Sequence, residues 1–321
     1  MRAAIINEDG HLRVEEVADP VAGPDEVLIE VRAASVNRRD LLVRNPPAPN
    51  YVFPRPLIPG SDAAGVRRDT GEEVVVYPAL NWLGDDVPAP GWQLLGGPQD
   101  GTYAELVRVP VENAFPKPRG WSWEEAATLP VAGLTAYRAL FRVGCLHEGE
   151  TVLVLGSGSG VSTFAIQLAR QAGARVLVTS SSRDKIKRAL DIGAERGVLY
   201  TDVDWAAKVK PVDLVFDSVG TSWRDSLQAL RSGGRVVAVG ATGGPEVTLD
   251  VRQLYLNWLS LRGTTLGSRR DFAGLLEMAE TGNWRPLIDS ARPLAKVDEA
   301  HERMLRGEQT GKLVLTLDAD G

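Results

Sequence analysis

Cysteine is nearly missing from this chain, with one residue, Cys145, among 321. A single thiol rules out an intrachain disulfide and suits a reducing compartment. Histidine is almost as scarce: His11, His147 and His301 lie far apart and read as surface or packing residues rather than metal ligands. No uninterrupted apolar run is long enough to span a bilayer, and the opening MRAAIINEDG lacks the basic segment and apolar core of a secretory signal. A cytoplasmic, non-membrane protein is the expectation. The net charge of −6 leaves no basic footprint for nucleic acid. Low-complexity segments are absent too, and with 44% hydrophobic and 24% charged residues the chain has the composition of a globular protein with room for two domains.

What the chain has in plenty is glycine, and its most informative cluster lies in Thr151 to Ala172, TVLVLGSGSGVSTFAIQLARQA. Thr151 to Leu155 has the β-branched apolar character of a strand buried on both faces. Gly156, Gly158 and Gly160 interrupt it, and Val161, Phe164, Ala165, Leu168, Ala169 and Ala172 then recur at helical spacing. The turn therefore sits at a helix N-terminus, where unpaired N–H groups and the helix dipole attract a phosphate. Ser157, Ser159 and Ser162 add hydroxyl donors. The plainer alternative is a tight structural turn, and the flanking strand and helix favour phosphate.

The next apolar run, Arg175 to Thr179, ends in Thr179-Ser180-Ser181-Ser182-Arg183, where NAD-preferring folds carry an acidic residue for the ribose hydroxyls. Hydroxyls with Arg183 and Lys185 suit a 2′-phosphate instead, which predicts NADP(H) over NAD(H). The serines also fit the plain role of capping the helix that begins near Arg183, and both readings can hold together.

Up to about Val107 the chain alternates apolar and polar residues in short runs broken by Gly and Pro, as in Val27 to Ala33 and Glu73 to Tyr77. That pattern predicts a strand-rich, barrel-like region. From Trp121 onward helices alternate with apolar strands at Thr151 to Leu155, Arg175 to Thr179, Val212 to Phe216, Arg235 to Val239 and Leu259 to Thr264. The fold class expected is α/β, a doubly wound parallel sheet plus a β-barrel domain. Glycine clusters at 232–234 and 240–244 are placed at opposite ends of one strand. After Leu266 come a helix, a turn at Arg292-Pro293-Leu294, a helix through His301 and a final strand, Lys312 to Leu317, assigned to the amino-terminal barrel. Leu80 to Gly101, with Trp82 and Trp92, reads as either a lid or a packed lobe.

The stretches PDEVLIEVRAASVNRRD, IPGSDAAGV, DGTYAELVRVP, ATLPVAGLTAYRAL, DSVG with LRSGGRVVAVG, and TGKLVL together resemble the medium-chain dehydrogenase/reductase superfamily, in its zinc-free quinone oxidoreductase-like branch. The resemblance runs nearly end to end. It implies a GroES-like catalytic domain of residues 1–128 and 267–321 around a Rossmann domain of residues 129–266. Positions matching the catalytic zinc ligands of alcohol dehydrogenases hold Asn37, Ser61 (followed by Asp62) and Val131, none offering thiolate or imidazole. The segment matching the structural zinc lobe, Leu80 to Gly101, has no cysteine. The expectation is NADP(H) as cofactor and no zinc.

Asn37 and Asp40 match family positions that face the nicotinamide, where Asn37 would donate to a substrate oxygen; their plainer role is to cap the helix starting near Arg39. Thr135 matches a residue whose hydroxyl lies near the nicotinamide, against the alternative of bonding to its own helix backbone. Lys185 and Tyr200 match the pair that holds the 2′-phosphate. The cofactor set is thus Thr135, Gly158, Ser159, Gly160, Val161, Ser162, Thr179, Ser181, Lys185, Tyr200, Val219 and Gly240, and the catalytic set Asn37, Asp40 and Thr135. Ser159 and Ser162 stand where glycine is common, and Leu42 where some relatives carry a tyrosine. Tyr51 is a substitute proton donor only if its loop brings it to the substrate; a solvent-exposed aromatic is the plainer reading.

The activity this resemblance implies is NADPH-dependent reduction of a small apolar quinone or an α,β-unsaturated carbonyl, with substrate entering beside Asn37, Trp82 and Leu266. A zinc-free ketone or aldehyde reductase and a non-catalytic NADPH-binding protein are the alternatives. Relatives pair the Leu259 to Thr264 edge across a two-fold axis, which implies a homodimer.

Overall fold

A computed structural model describes residues 1–317 except Asp85 and Ser222. Two compact units divide the chain: the first comprises Met1–Ala132, Ser268–Thr281 and the stretch from Ile288, the second Gly133–Gly267 with Gly282–Leu287.

The second unit is built on a six-stranded parallel sheet. Its strands run, in spatial order, Arg196–Leu199, Arg175–Ser180, Thr151–Val154, Val212–Asp217, Leu230–Ala238 and Ser260–Gly263. Val154 pairs with Val178 on one side and Phe216 on the other, so the chain leaves the Thr151–Val154 strand in one direction and returns to its opposite flank. This is the topological switch point of a doubly wound sheet, and ligands bind outside the carboxyl ends of strands there. Valine and leucine fill these strands because both faces are covered. The helix Gly160–Gln171 buries Phe164, Ala165, Leu168 and Ala169.

One expectation fails here. Ser232, Gly233 and Gly234 lie inside the Leu230–Ala238 strand, not at its start. Gly233 adopts φ 78°, and the register slips between Val212 and Leu214 opposite it, so the glycines absorb an irregularity in the ladder rather than end it.

In the first unit, a seven-stranded sheet turns around the long strand Glu26–Val36. That strand pairs with Asp62–Arg67 along one edge; on the other it takes Leu106–Pro110 at its beginning and Lys312–Thr316 at its end. The closing strand thus joins the amino-terminal barrel as expected. Ile288–Pro293 pairs beside it, in a region where the sequence suggested only a turn. Pro293 is compatible with that strand because it is the last residue of a sheet edge, where a missing N–H costs little. Leu80 to Gly101 contains a small two-stranded pairing, Ala79–Leu80 with Gln93–Leu94, and Trp82 packs edge to face on Trp92 at 5.0 Å. Trp82 is buried, so the described part of this excursion is a packed lobe. Among the described residues, no helix is long and apolar enough to cross a membrane.

Candidate active site

The glycine turn of the second unit leaves the central strand and opens the Gly160–Gln171 helix. Gly156 takes φ 67°, a conformation that disfavours other residues, and a Cβ there would sit 3.1 Å from Val219 Cγ2. Ser159 is the N-cap: its Oγ accepts from Ser162 N at 3.1 Å and donates to Ser162 Oγ at 2.8 Å. Ser162 is fully buried, and its hydroxyl donates to Leu155 O at 3.1 Å. That bond explains how serine replaces the usual glycine, because the added polar atom is satisfied by the strand end it touches. Gly160 and Val161 form the first turn, with N–H groups that a helix start leaves without intrahelical partners.

Thr179 is buried, its Oγ1 accepting from Gly156 N at 3.3 Å and its carbonyl from Ser157 N at 2.9 Å. It therefore shapes the turn from beneath. Ser180 Oγ accepts from Ser182 N, and Ser182 caps the next helix through Lys185 N, so of the three serines Ser182 is the cap. Ser181 stays exposed. Tyr200 N donates to Ser180 O at 3.1 Å, which brings the half-exposed tyrosine alongside Ser181. Lys185 reaches back across the turn: a Cβ on Gly158 would lie 2.6 Å from its Cδ and 3.3 Å from its Nζ. Lys185 thus lies beside Gly158 and Tyr200 beside the Ser180 strand end, with no carboxylate among residues 179–182. The turn fits a nicotinamide dinucleotide, with its pyrophosphate at the helix start.

Val219 and Gly240 flank the turn on the other side. Asp217, fully buried, accepts from Val219 N at 2.7 Å and Gly220 N at 2.9 Å and so holds that loop. The sequence reasoning missed this aspartate; its signal was an acid at the end of an apolar strand. A Cβ on Gly240 would lie 3.0 Å from Ser218 O, which keeps this strand end narrow. Thr135 is buried in the short helix Leu134–Tyr137, between two π-helical stretches, Leu129–Gly133 and Arg138–Val143. Such wider turns are often found at functional sites.

The first unit holds a buried polar network. Val36 pairs with Leu313 and Ser35 with Asp62, so the strand registers set Lys312 and Asp62 beside Asn37. Lys312 Nζ donates to Val36 O at 3.0 Å, Asn37 Oδ1 at 2.7 Å and Asp62 Oδ2 at 3.0 Å, satisfying all three of its hydrogens. Asp62 Oδ2 also accepts from Ser35 Oγ at 2.6 Å and Asn37 Nδ2 at 2.8 Å, and its Oδ1 from Val131 N at 2.8 Å. Asn37 N donates to Asp40 Oδ2 at 2.8 Å, the reciprocal bond of a capping box for the Arg38–Arg44 helix. Asp40 Oδ2 accepts again from Tyr103 Oη at 2.6 Å.

Asp40 has no exposed surface, so its carboxyl does not meet a substrate and acts only through Asn37 and Tyr103. That corrects its place among catalytic residues. Burial pushes its carboxyl up to about 6, against the pull of the Tyr103 and Asn37 hydrogen bonds. Burial and then the Asp40 charge push the Tyr103 hydroxyl well above its ordinary value. Arg39, on the same helix, donates to the carbonyls of Leu95, Gly96 and Gly97 and so ties down the Trp82 lobe. Tyr51 is partly exposed in a single turn, Pro49–Tyr51.

Zinc does not fit this network. Asn37 Oδ1 already faces an ammonium, Ser61 Oγ donates to Leu95 O at 2.7 Å, and Val131 offers only a backbone N–H that is bound to Asp62. Lys312 would repel a dication from Asp62, the carboxylate it touches. Among the described residues no group of three or more His, Cys, Asp or Glu side chains is placed to hold a metal. His301 is buried against Tyr103, at 5.9 Å between ring centroids, and His11 and His147 are exposed.

Two family profiles match the chain. One, described as the alcohol dehydrogenase GroES-like domain, covers residues 23–119; the other, zinc-binding dehydrogenase, covers residues 160–281. The chain belongs to the medium-chain dehydrogenase/reductase superfamily. This superfamily is one of oxidoreductases that bind a nicotinamide cofactor, in keeping with the geometry of the turn. Mouse quinone oxidoreductase is 31% identical to this medium-chain dehydrogenase/reductase, over 99% of the chain and 98% of the relative. A solved NAD-dependent alcohol dehydrogenase has a TM-score of 0.92 at 34% identity, over 99% of this chain and all of that one. The quinone oxidoreductase of Thermus thermophilus, solved also with NADPH, has a TM-score of 0.82 at 31% identity, again over 99% of this chain and all of that one.

Proposed function

We propose that this protein is an NADPH-dependent, zinc-independent reductase of quinones or α,β-unsaturated carbonyls. The observation that carries the reading is the network around Asn37: the positions that match zinc ligands hold an amide, a hydroxyl and a valine, and the amide and the valine N–H are bound to one another through Asp62 and Lys312. A saturated carbonyl gains most from a Lewis acid, whereas in a quinone or enone conjugation already spreads the developing charge. The cofactor, when bound, supplies the hydride. Asn37 spends one Nδ2 hydrogen on Asp62 and has no partner among the described residues for the other, which is the one available to a substrate oxygen. Thr135 is the hydroxyl assigned beside the nicotinamide.

Preference for the phosphorylated cofactor rests on Ser181, Lys185 and Tyr200 at a strand end without an acid. Following cofactor absorbance with NADPH and a panel of quinones and enals tests the acceptor. No turnover on any of them rejects that part, and equal Michaelis constants for NADPH and NADH reject the other. A second reading, a ketone or aldehyde reductase, draws on the likeness to an NAD-dependent alcohol dehydrogenase, and saturated carbonyls in the same assay distinguish it.

The assembly proposed is a homodimer. The parallel sheet ends at Ser260–Gly263, and Tyr255, Leu256 and Trp258 are exposed just before it in the chain. A light-scattering mass of one chain rejects it. A single, unbridged cysteine favours a cytoplasmic location.

A further inference from the structure

The Asn37 amide has two orientations of nearly equal shape, and only one presents a donor where its Nδ2 now lies. Two neighbours choose between them. Lys312 is donor only and meets Oδ1; Asp62 is acceptor only and meets Nδ2. A flipped amide would set N–H against ammonium and carbonyl against carboxylate. Both charged groups are nearly or wholly buried, at 3% and 0% exposure, and the carboxylate is itself held by Ser35 Oγ and Val131 N. This is more charge than a cap for the Arg38–Arg44 helix needs, because the capping box joins only Asn37 and Asp40 and uses neither Lys312 nor Asp62.

We infer that Lys312, together with Asp62, is a positioning residue of the reaction: a tethered internal cation that locks the amide of Asn37, itself at a position matching a zinc ligand of metal-dependent relatives, in its donating orientation. The inference rests on the reading of Asn37 as donor to the acceptor's oxygen. Lys312 touches neither substrate nor cofactor in this scheme. Its effect is on where one amide hydrogen stands while negative charge grows on the oxygen.

Neutralising both charges separates orientation from stability. A single Lys312→Met leaves a buried carboxylate without its cation and threatens the fold, whereas Lys312→Met with Asp62→Asn removes both charges and leaves the Asn37 amide free to turn. With that double variant, kcat should fall by about 10- to 100-fold, a fraction of the loss seen when an oxyanion donor is deleted. The Michaelis constant for the acceptor and the dissociation constant for NADPH should stay within about threefold, since neither binding surface is altered. Lys312→Arg keeps a donor-only cation and should retain more turnover than the double variant. A double variant that melts like the wild type and keeps wild-type kcat overturns the inference.

If the double variant does not fold, the native protein decides. With 15N-lysine labelling, one ammonium resonance protected from solvent exchange, and lost in Lys312→Arg, is expected at neutral pH. A fast-exchanging Lys312 ammonium overturns the clamp. Absence of turnover in the wild type would reject the functional reading instead, because the ammonium signal and NADPH binding are measured without an acceptor.

Discussion

His301 makes the stability of the first unit depend on acid in a way that can be isolated. The side chain is wholly buried, and neither ring nitrogen has a hydrogen-bond partner among the described residues. Burial, and after it the Arg44 charge, push the imidazole down to about 3 from 6.5. The unfolded chain therefore takes up a proton that the folded one refuses. The contribution of His301 is complete above its unfolded value and is lost as pH falls toward 3. At 1.36 kcal/mol per pH unit, the loss amounts to about 5 kcal/mol over the whole window and about 3 kcal/mol between pH 7 and pH 4.

The wild-type curve alone would hide this. Asp40, raised by burial to about 6, works in the opposite sense: its contribution is complete below 3.8 and is lost as pH rises through about 6. Comparing wild type with His301→Phe, which keeps a ring against Tyr103, cancels the carboxyl. Urea denaturation followed by tryptophan fluorescence should show the variant gaining about 3 kcal/mol on the wild type between pH 7 and pH 4. A difference that does not change with pH refutes the reasoning. So does a titration of the His301 ring near 6.5 in the folded protein.

Asp40→Asn removes the charge whose burial costs about 3 kcal/mol above pH 6, so the variant should gain on the wild type as pH rises from about 4 to 7; a constant difference counts against it. Lys185→Ala should raise the Michaelis constant for NADPH about 10- to 100-fold while leaving that for NADH within about threefold, and equal effects on the two cofactors would remove Lys185 from the 2′-phosphate. Arg235, nearly buried, donates to both oxygens of Glu150, at 2.9 Å and 2.6 Å, and to the carbonyls of Gly144 and Cys145. Arg235→Met should destabilise the second unit by about 3–5 kcal/mol, and a loss under about 1 kcal/mol by denaturation would show that the pair contributes little.

The cofactor-binding part was largely legible because its determinants are local. A buried strand, glycines at a turn and a helix with one apolar face lie within Thr151 to Ala172, and the serines, Lys185 and Tyr200 come within the next two strands. What escaped there depended on packing. Thr179 turned inward to Gly156, and the 232–234 glycines were drawn into a strand by the pairing of Val212–Asp217 with Leu230–Ala238.

Around Asn37 the balance reverses. The residues at the zinc-ligand positions could be read off the chain, and so could the absence of thiolate and imidazole there. The ammonium among them could not. Lys312 lies 275 residues from Asn37, and Tyr103 lies 63 from Asp40. In the sequence Lys312 is one lysine opening an apolar strand, with nothing local to say that it is buried. By itself the sequence determined most of the elements, the family and the residue types at the site, since periodicity and residue type act over a few neighbours. Only the tertiary structure decided which charges meet, because strand register between distant segments sets those contacts, and burial gives them their strength.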